Sequence, residues 1–274
     1  MFSKAMKYLG AIAHATCLGM ILFPFLWQVL TSLKNPQQLA TGSFWPMAVY
    51  WRNYAAVFSG ELSFARYLFN SFVVSSSTAM LSIAAACLAA YALARTGIKS
   101  KGLIMTAVLA MAMFPQIAAI SPLFLMLKGA GLLNTYFGLI IPYTGFSLPM
   151  AIWILTNFFR KLPVELEEAA AVDGAGHSQV IRHVFLPLAA PGIFTAGMLV
   201  FIFCWNEFLL ALTFNTAEQM RTVTVGIAMF PGQYEMPWGV IFAASVVVTI
   251  PLIVMVLLLQ KRIVSGLLAG AVKS

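Results

Sequence analysis

The residues able to do chemistry are few and concentrated. Of eight acidic residues in 274, four (Glu165, Glu167, Glu168 and Asp173) fall in one stretch, 162–191, LPVELEEAAAVDGAGHSQVIRHVFLPLAAP. Glu207 stands in an apolar run as part of Trp205-Asn206-Glu207. A charge at the centre of a bilayer costs about 2.5–3.5 kcal/mol on insertion scales. Glu207 must therefore face a polar cavity, a polar group of a neighbouring subunit, or the headgroups. An indole beside a carboxylate suits a sugar, since the ring stacks on C–H faces and the carboxylate accepts hydroxyl protons. No catalytic or metal-binding constellation is present. Cys17, Cys87 and Cys204 lie in apolar runs with neither disulfide nor metal spacing, and His14, His177 and His183 have no second ligand at a suitable distance along the chain. The G-x-x-x-x-G-K-[ST] run of a P-loop is missing, so any energy from ATP must come from another polypeptide.

The acidic stretch reads as a helix–turn–helix. Pro163 suits a first helical turn, where a missing N–H costs nothing. Glu165, Glu167 and Glu168 complement the positive end of the helix dipole, and Ala169, Ala170 and Ala171 are strong helix formers. Asp173-Gly174-Ala175-Gly176 breaks the helix. A second short helix starts near Ser178, with Val180, Ile181 and Val184 on one side and Arg182 and His183 on the other. Pro187 and Pro191 are expected to close the segment. One apolar and one charged side suit docking onto a partner at a membrane surface.

The elements that must position these residues are membrane helices. The chain is 61% hydrophobic and 9% charged, whereas soluble domains carry about 25% charge. Six runs are long enough to cross a bilayer, about 8–30, 70–94, 103–127, 136–159, 192–214 and 238–259. The fold class is all-α integral membrane, one domain over 1–274 with six transmembrane helices and a loop at 160–191; β-barrel strands would be shorter and alternating. The first apolar run lacks a small-residue cleavage site, so a removable signal peptide is not expected. With both termini in the cytoplasm, eleven Lys and Arg lie inside and five outside, which favours that orientation and puts the Glu168 loop inside. The net charge of +8 follows from these flanking residues, so nucleic acid is excluded as a partner.

The connecting segments carry weaker signals. Trp45, Tyr50, Trp51 and Tyr54 in the first outer segment mark either an interfacial anchor or a binding surface. Ser75–Thr78 and many alanines give the second span a small-residue face. Pro115, Pro122, Pro142 and Pro149 kink the third and fourth spans, serving either a pathway or packing, and Gln116 beside Pro115 is a pathway candidate.

Glu168-Ala169-Ala170, three residues, Gly174, nine residues, then Val184-Phe185-Leu186-Pro187 resembles the EAA loop of ABC-importer permeases. Val184 for Ile is the one departure. The resemblance implies the type I importer permease fold, also called MetI-like, in the plasma (inner) membrane of a bacterium or archaeon. It implies coupling to an ATPase through Glu168, Ala169, Ala170, Asp173, Gly174, Ala175, Leu186 and Pro187. Its further implications are a second homologous permease, two ATP-binding subunits holding ATP and Mg, and an extracytoplasmic solute-binding protein. Similar permeases carry a Trp-Asn-Asp/Glu phrase, which makes Trp205, Asn206 and Glu207 pathway candidates with Gln116. The outer loop 215–237 and the tail 264–274 resemble those of the smaller maltose-type permease. The tail, with Gly266, Gly270 and Lys273, is then either an ATPase contact or a frayed end. The implied substrate is a sugar, a di- or oligosaccharide or related glycoside. The alternative is a polyol, glycerol phosphate or other polar metabolite.

Overall fold

The structure, a computed structural model, describes residues 2–59, 64–230 and 236–271, with side chains over 10–59, 64–170, 172–176, 179–230 and 236–260. Among these residues the regular elements are all helical. In order they are α1 (Phe2–Ser32), α2 (Pro36–Thr41), α3 (Arg52–Ser59), α4 (Phe64–Arg95), α5 (Lys101–Ala112), α6 (Gln116–Gly129), α7 (Phe137–Phe159), α8 (Glu165–Val172) and α9 (His177–Val180). A π-helical turn, Ile181–Phe185, leads into α10 (Leu186–Asn206). Then come α11 (Leu209–Phe214), a 3-10 turn at Glu218–Met220, α12 (Val223–Ala228) and α13 (Trp238–Ala271).

Five helical stretches are long and apolar enough to cross a membrane: Gly10–Ser32, Phe64–Arg95, Phe137–Phe159, Ile181–Asn206 and Trp238–Gln260. The expected third span is not one straight helix. Helices α5 and α6 meet at 86°, and they make a sixth crossing if the bent pair is one span. Pro115 is the cause: it removes an N–H and holds extended backbone (ψ 123°) as the residue before α6. The expected fifth span, 192–214, is displaced. The membrane-length helix begins at Ile181 and stops at Asn206, and α11 is a separate piece.

The chain forms two compact units. In the first (Met1–Ala65 and Gly226–Pro251), Asn53 is buried and its Nδ2 donates to the carbonyls of Ser32 and Lys34, each at 2.8 Å. The first is a carbonyl that the end of α1 leaves unpaired, and the second lies in the turn that follows. Tyr54 Oη lies 2.7 Å from Ser32 Oγ, and Lys34 Nζ donates to the Ser43 carbonyl at 2.7 Å while covering the Trp27 ring. The Trp51–Tyr54 phrase thus divides, with Asn53 locking the turn after α1 while Trp51 stays exposed.

The second unit (Arg66–Val225 and Leu252–Ser274) has its core on α7. This helix packs against α5 and α10, burying Leu139, Tyr143, Ala151, Leu155 and Phe159. Ala86 and Ala90 of α4 and Ala189 and Ala196 of α10 are buried in the same cluster. Small residues at helical spacing let backbones approach where lipid supplies no hydrophobic drive. Two buried polar groups tie separate segments together. Ser82 Oγ lies 2.8 Å from Ser147 Oγ, linking α4 to α7. Asn70 accepts from Tyr136 Oη at 2.8 Å and donates to the carbonyls of Gln219 and Arg221 at 2.9 Å each.

Candidate functional site

The acidic stretch folds as a hairpin whose central turn is locked from both sides. Helix α8 opens with Glu165, Glu167 and Glu168 in its first turn; Pro163 lies just outside it. At its other end Gly174 has φ +84°, and the Ala175 N–H bonds back to the Ala170 carbonyl at 3.0 Å. That backward bond across a left-handed residue is a Schellman cap. It explains why glycine stands four residues after Ala170. Gly176 then starts α9: its carbonyl accepts from the N–H groups of Gln179 and Val180, and its own N–H donates to Gln179 Oε1 at 2.8 Å. This is half of a capping box.

The expectation that Pro187 and Pro191 end the segment is corrected. The chain stays helical through both. Proline has no N–H, and its ring clashes with the carbonyl four residues earlier. The π turn relieves this, since the wider Leu186 N–H to Ile181 carbonyl bond opens the ladder immediately before Pro187. Leu186 and Pro187 are exposed at the start of α10, while Val180 and Phe185 are buried and Arg182 and His183 face out.

The hairpin is fastened to the helices by Arg95, at the end of α4. Its Nε lies 2.7 Å from Glu167 Oε1, the one ion pair among the described residues, and its Nη2 donates to the Leu162 carbonyl at 2.8 Å. The guanidinium sits 5.6 Å from the centre of the Phe185 ring, which stands edge-on to Tyr91 and Phe159 at 4.9 and 4.7 Å. Tyr91 Oη donates to Glu167 Oε2 at 3.4 Å. Sequence reasoning missed this cluster, because Arg95 was legible only as a basic span end. Glu168, Ala169 and Asp173 are exposed, and Ala170 and Ala175 are half-buried.

The second candidate group is split. Trp205 is buried and stacked on Phe201, with ring centres 5.5 Å apart. It does not line the space beside its neighbours, so the expected pairing of indole and carboxylate around one solute is corrected. Glu207 is only 7% exposed. Its Oε1 accepts from the Leu210 N–H at 2.9 Å and its Oε2 from the Ala211 N–H at 3.1 Å. Tyr143 Oη donates to Oε2 at 2.5 Å, and Thr224 Oγ1 donates to the Glu207 carbonyl at 2.8 Å. The carboxylate therefore caps α11 across the break in the chain, meeting N–H groups that a helix start leaves orphaned. Gln116, Asn206 and Glu207 do share a shallow recess of about 430 Å³ with Ile202, Phe203, Phe208 and Leu209. Asn206 Nδ2 donates to the Ile202 carbonyl at 2.8 Å, and the residue is exposed there. Gly266 and Gly270 fall in α13 beyond its described side chains, and Lys273 lies outside the described residues.

Residues 80–268 match the family described as binding-protein-dependent transport system inner membrane component. The chain belongs to that family. It is thus a multi-pass membrane component of an importer, and the chemistry of ATP belongs to other subunits. The trehalose transport system permease protein of Mycobacterium tuberculosis is 44% identical, covering 96% of both chains. The trehalose/maltose transport system permease protein of Thermococcus litoralis is 42% identical, covering 100% of this chain and 99% of that one. The sulfoquinovosyl glycerol transport system permease protein of Agrobacterium fabrum is 41% identical over 97% and 94%. Among solved structures, a bacterial ABC transporter involved in import of the acidic polysaccharide alginate aligns with a TM-score of 0.79, covering 94% of this chain and 96% of that one at 22% identity. The type I importer permease fold expected from the EAA spacing is therefore the fold of the chain.

Proposed function

We propose that this chain is the permease subunit of an importer for a di- or oligosaccharide or a related glycoside, with the α8–α9 hairpin docking on an ATP-binding subunit. The observation that supports docking is the hairpin itself. Its central turn is capped on both sides and it is pinned by Arg95, yet Val164, Leu166 and Val172 are exposed among its carboxylates. An exposed apolar patch rimmed by charge marks a surface meant to be covered. Support for a sugar comes from the relatives, whose solutes are trehalose, maltose and a glycoside.

In this reading a second, related permease completes the pathway. Two ATP-binding subunits lie below with ATP and Mg, and a solute-binding protein delivers the sugar from outside. Both termini are cytoplasmic, as the Lys and Arg distribution favours. The tail around Gly266, Gly270 and Lys273 makes a second contact with the ATP-binding subunits. Gln116 and Asn206 offer amide groups to the passing solute. Closing of the ATP-binding subunits pushes the hairpin and turns the cavity outward; hydrolysis resets it.

The test reconstitutes the complete importer in lipid with its own binding protein. Uptake of labelled trehalose, maltose and glycerol phosphate is measured beside ATP hydrolysis. Saturable, ATP-dependent uptake of a glycoside is expected. Uptake of glycerol phosphate with no glycoside uptake would replace the sugar by a polar metabolite.

A further inference from the structure

We propose that Arg95 and Glu167 are positioning residues that make α4, the end of α7, α8 and the π turn move as one body, so that force on the hairpin reaches the membrane helices. The inference rests on the reading that the hairpin meets an ATP-binding subunit. It adds which residues carry the motion and by what path. Without a strut, a push on an eight-residue helix between two loops would be absorbed by bending the loops, because so short a helix is marginal by itself.

Four features of the cluster suit a strut. Arg95 holds two different segments at once, through an ion pair with Glu167 of α8 and a hydrogen bond to the carbonyl of Leu162 after α7. The planar guanidinium fixes the angle between those two contacts, which a lysine ammonium would not do. The pair is largely shielded, at 9% and 15% side-chain exposure, so salt and water weaken it less than a surface pair. Phe185, buried under the guanidinium and edge-on to Tyr91 and Phe159, extends the contact to the π turn that opens α10. Glu167 is used where Glu168 is not: it turns inward to Arg95, while Glu168 stays exposed on the hairpin. Adjacent carboxylates thus divide the work, one tying the hairpin to its own subunit and one facing outward.

The experiment uses the whole reconstituted importer and measures sugar imported per ATP hydrolysed, together with co-purification of the ATP-binding subunits. Glu167→Gln keeps shape and loses the charge. It is expected to leave the ATP-binding subunits bound and hydrolysing while the import ratio falls about fivefold or more, the scale of a typical coupling between sites. Arg95→Lys, which keeps the charge without the fixed fork, should fall between. The exchanged pair Arg95→Glu with Glu167→Arg should recover part of the ratio lost in Glu167→Gln, which loss of general stability would not allow. An unchanged ratio in Glu167→Gln overturns the proposal, and so does an exchanged pair no better than Glu167→Gln. Loss of the ATP-binding subunits from Glu167→Gln also overturns it, since the pair would then serve assembly. Failure of the unaltered chain to bind those subunits would instead sink the docking reading beneath it.

Discussion

The turn at Gly174 offers the sharpest perturbation of the hairpin. Its φ of +84° is left-handed, and a Cβ built there meets nothing within 4 Å. Substitution therefore acts through backbone strain alone. An ordinary L-residue in this region costs about 1–2 kcal/mol, and Asn and Asp tolerate it better. The strain should rank Gly174→Asn smallest, Gly174→Ala next and Gly174→Val largest. Since 1.4 kcal/mol is a factor of ten, Gly174→Val should weaken binding of the ATP-binding subunits by roughly five- to thirtyfold if the capped turn is the docked form. Gly174→Asp adds a charge beside Asp173 on the exposed side, so its effect should exceed its strain and should shrink in high salt. The assay titrates purified ATP-binding subunit against each variant in nanodiscs and measures uptake in the same preparations. Equal affinity and uptake across Asn, Ala and Val variants would refute the claim that the Schellman turn is what the partner recognises.

Glu207→Ala leaves the Leu210 and Ala211 N–H groups and the Tyr143 hydroxyl without their acceptor, at about 1–3 kcal/mol for each buried orphan. Its melting temperature in detergent should drop clearly, and that of Glu207→Gln less; equal melting would refute the capping role. Gln116→Leu and Asn206→Leu remove amides from the recess, the second also a bond to the Ile202 carbonyl; both should slow uptake, and normal uptake at limiting sugar would remove them from the pathway. Gly138→Ala places a Cβ 2.3 Å from the Leu132 carbonyl oxygen, so it should lower folded yield on size-exclusion chromatography. Asn53→Ala strips the donor from two carbonyls after α1, and limited proteolysis should become faster in the turn near Lys34.

What was legible in the sequence was local. Gly174 stands at a fixed offset from Glu168-Ala169-Ala170, and the turn needs only neighbours along the chain, so spacing revealed it. The sides of the second short helix were equally readable: Val180 is buried and Arg182 and His183 are exposed, as their periodicity requires. Hydropathy located the apolar runs but was blind to where they break. A span-length window averages over Asn206 and Glu207, so 192–214 looked continuous although the helix stops at Asn206 and restarts at Leu209. Pro187 looked like a terminator because the π turn that precedes it leaves no mark in composition, and Pro191 likewise, though it stays inside α10. Partners distant in the chain were invisible. Nothing near Glu207 names Tyr143, and nothing near Glu167 names Arg95.

The two helix breaks, at Met113–Pro115 and at Glu207–Phe208, answer one problem in two ways. A break within a span is tolerated only where protein or a wet cavity satisfies the freed backbone groups. At the first, Pro115 precedes α6 and brings no N–H to satisfy. At the second, Glu207 supplies acceptors for its own neighbours and draws a hydroxyl from α7. The consequence for the shared recess is chemical. The carboxylate is spent on the backbone, and what the chain turns outward there is Gln116 and Asn206. Amides both donate and accept without charge. In the proposed pathway such a lining would exchange hydrogen bonds with a hydroxyl-rich solute and release it again, where a free carboxylate would bind cations. The residue that looked like a sugar ligand in the sequence thus has both its oxygens engaged by Leu210, Ala211 and Tyr143.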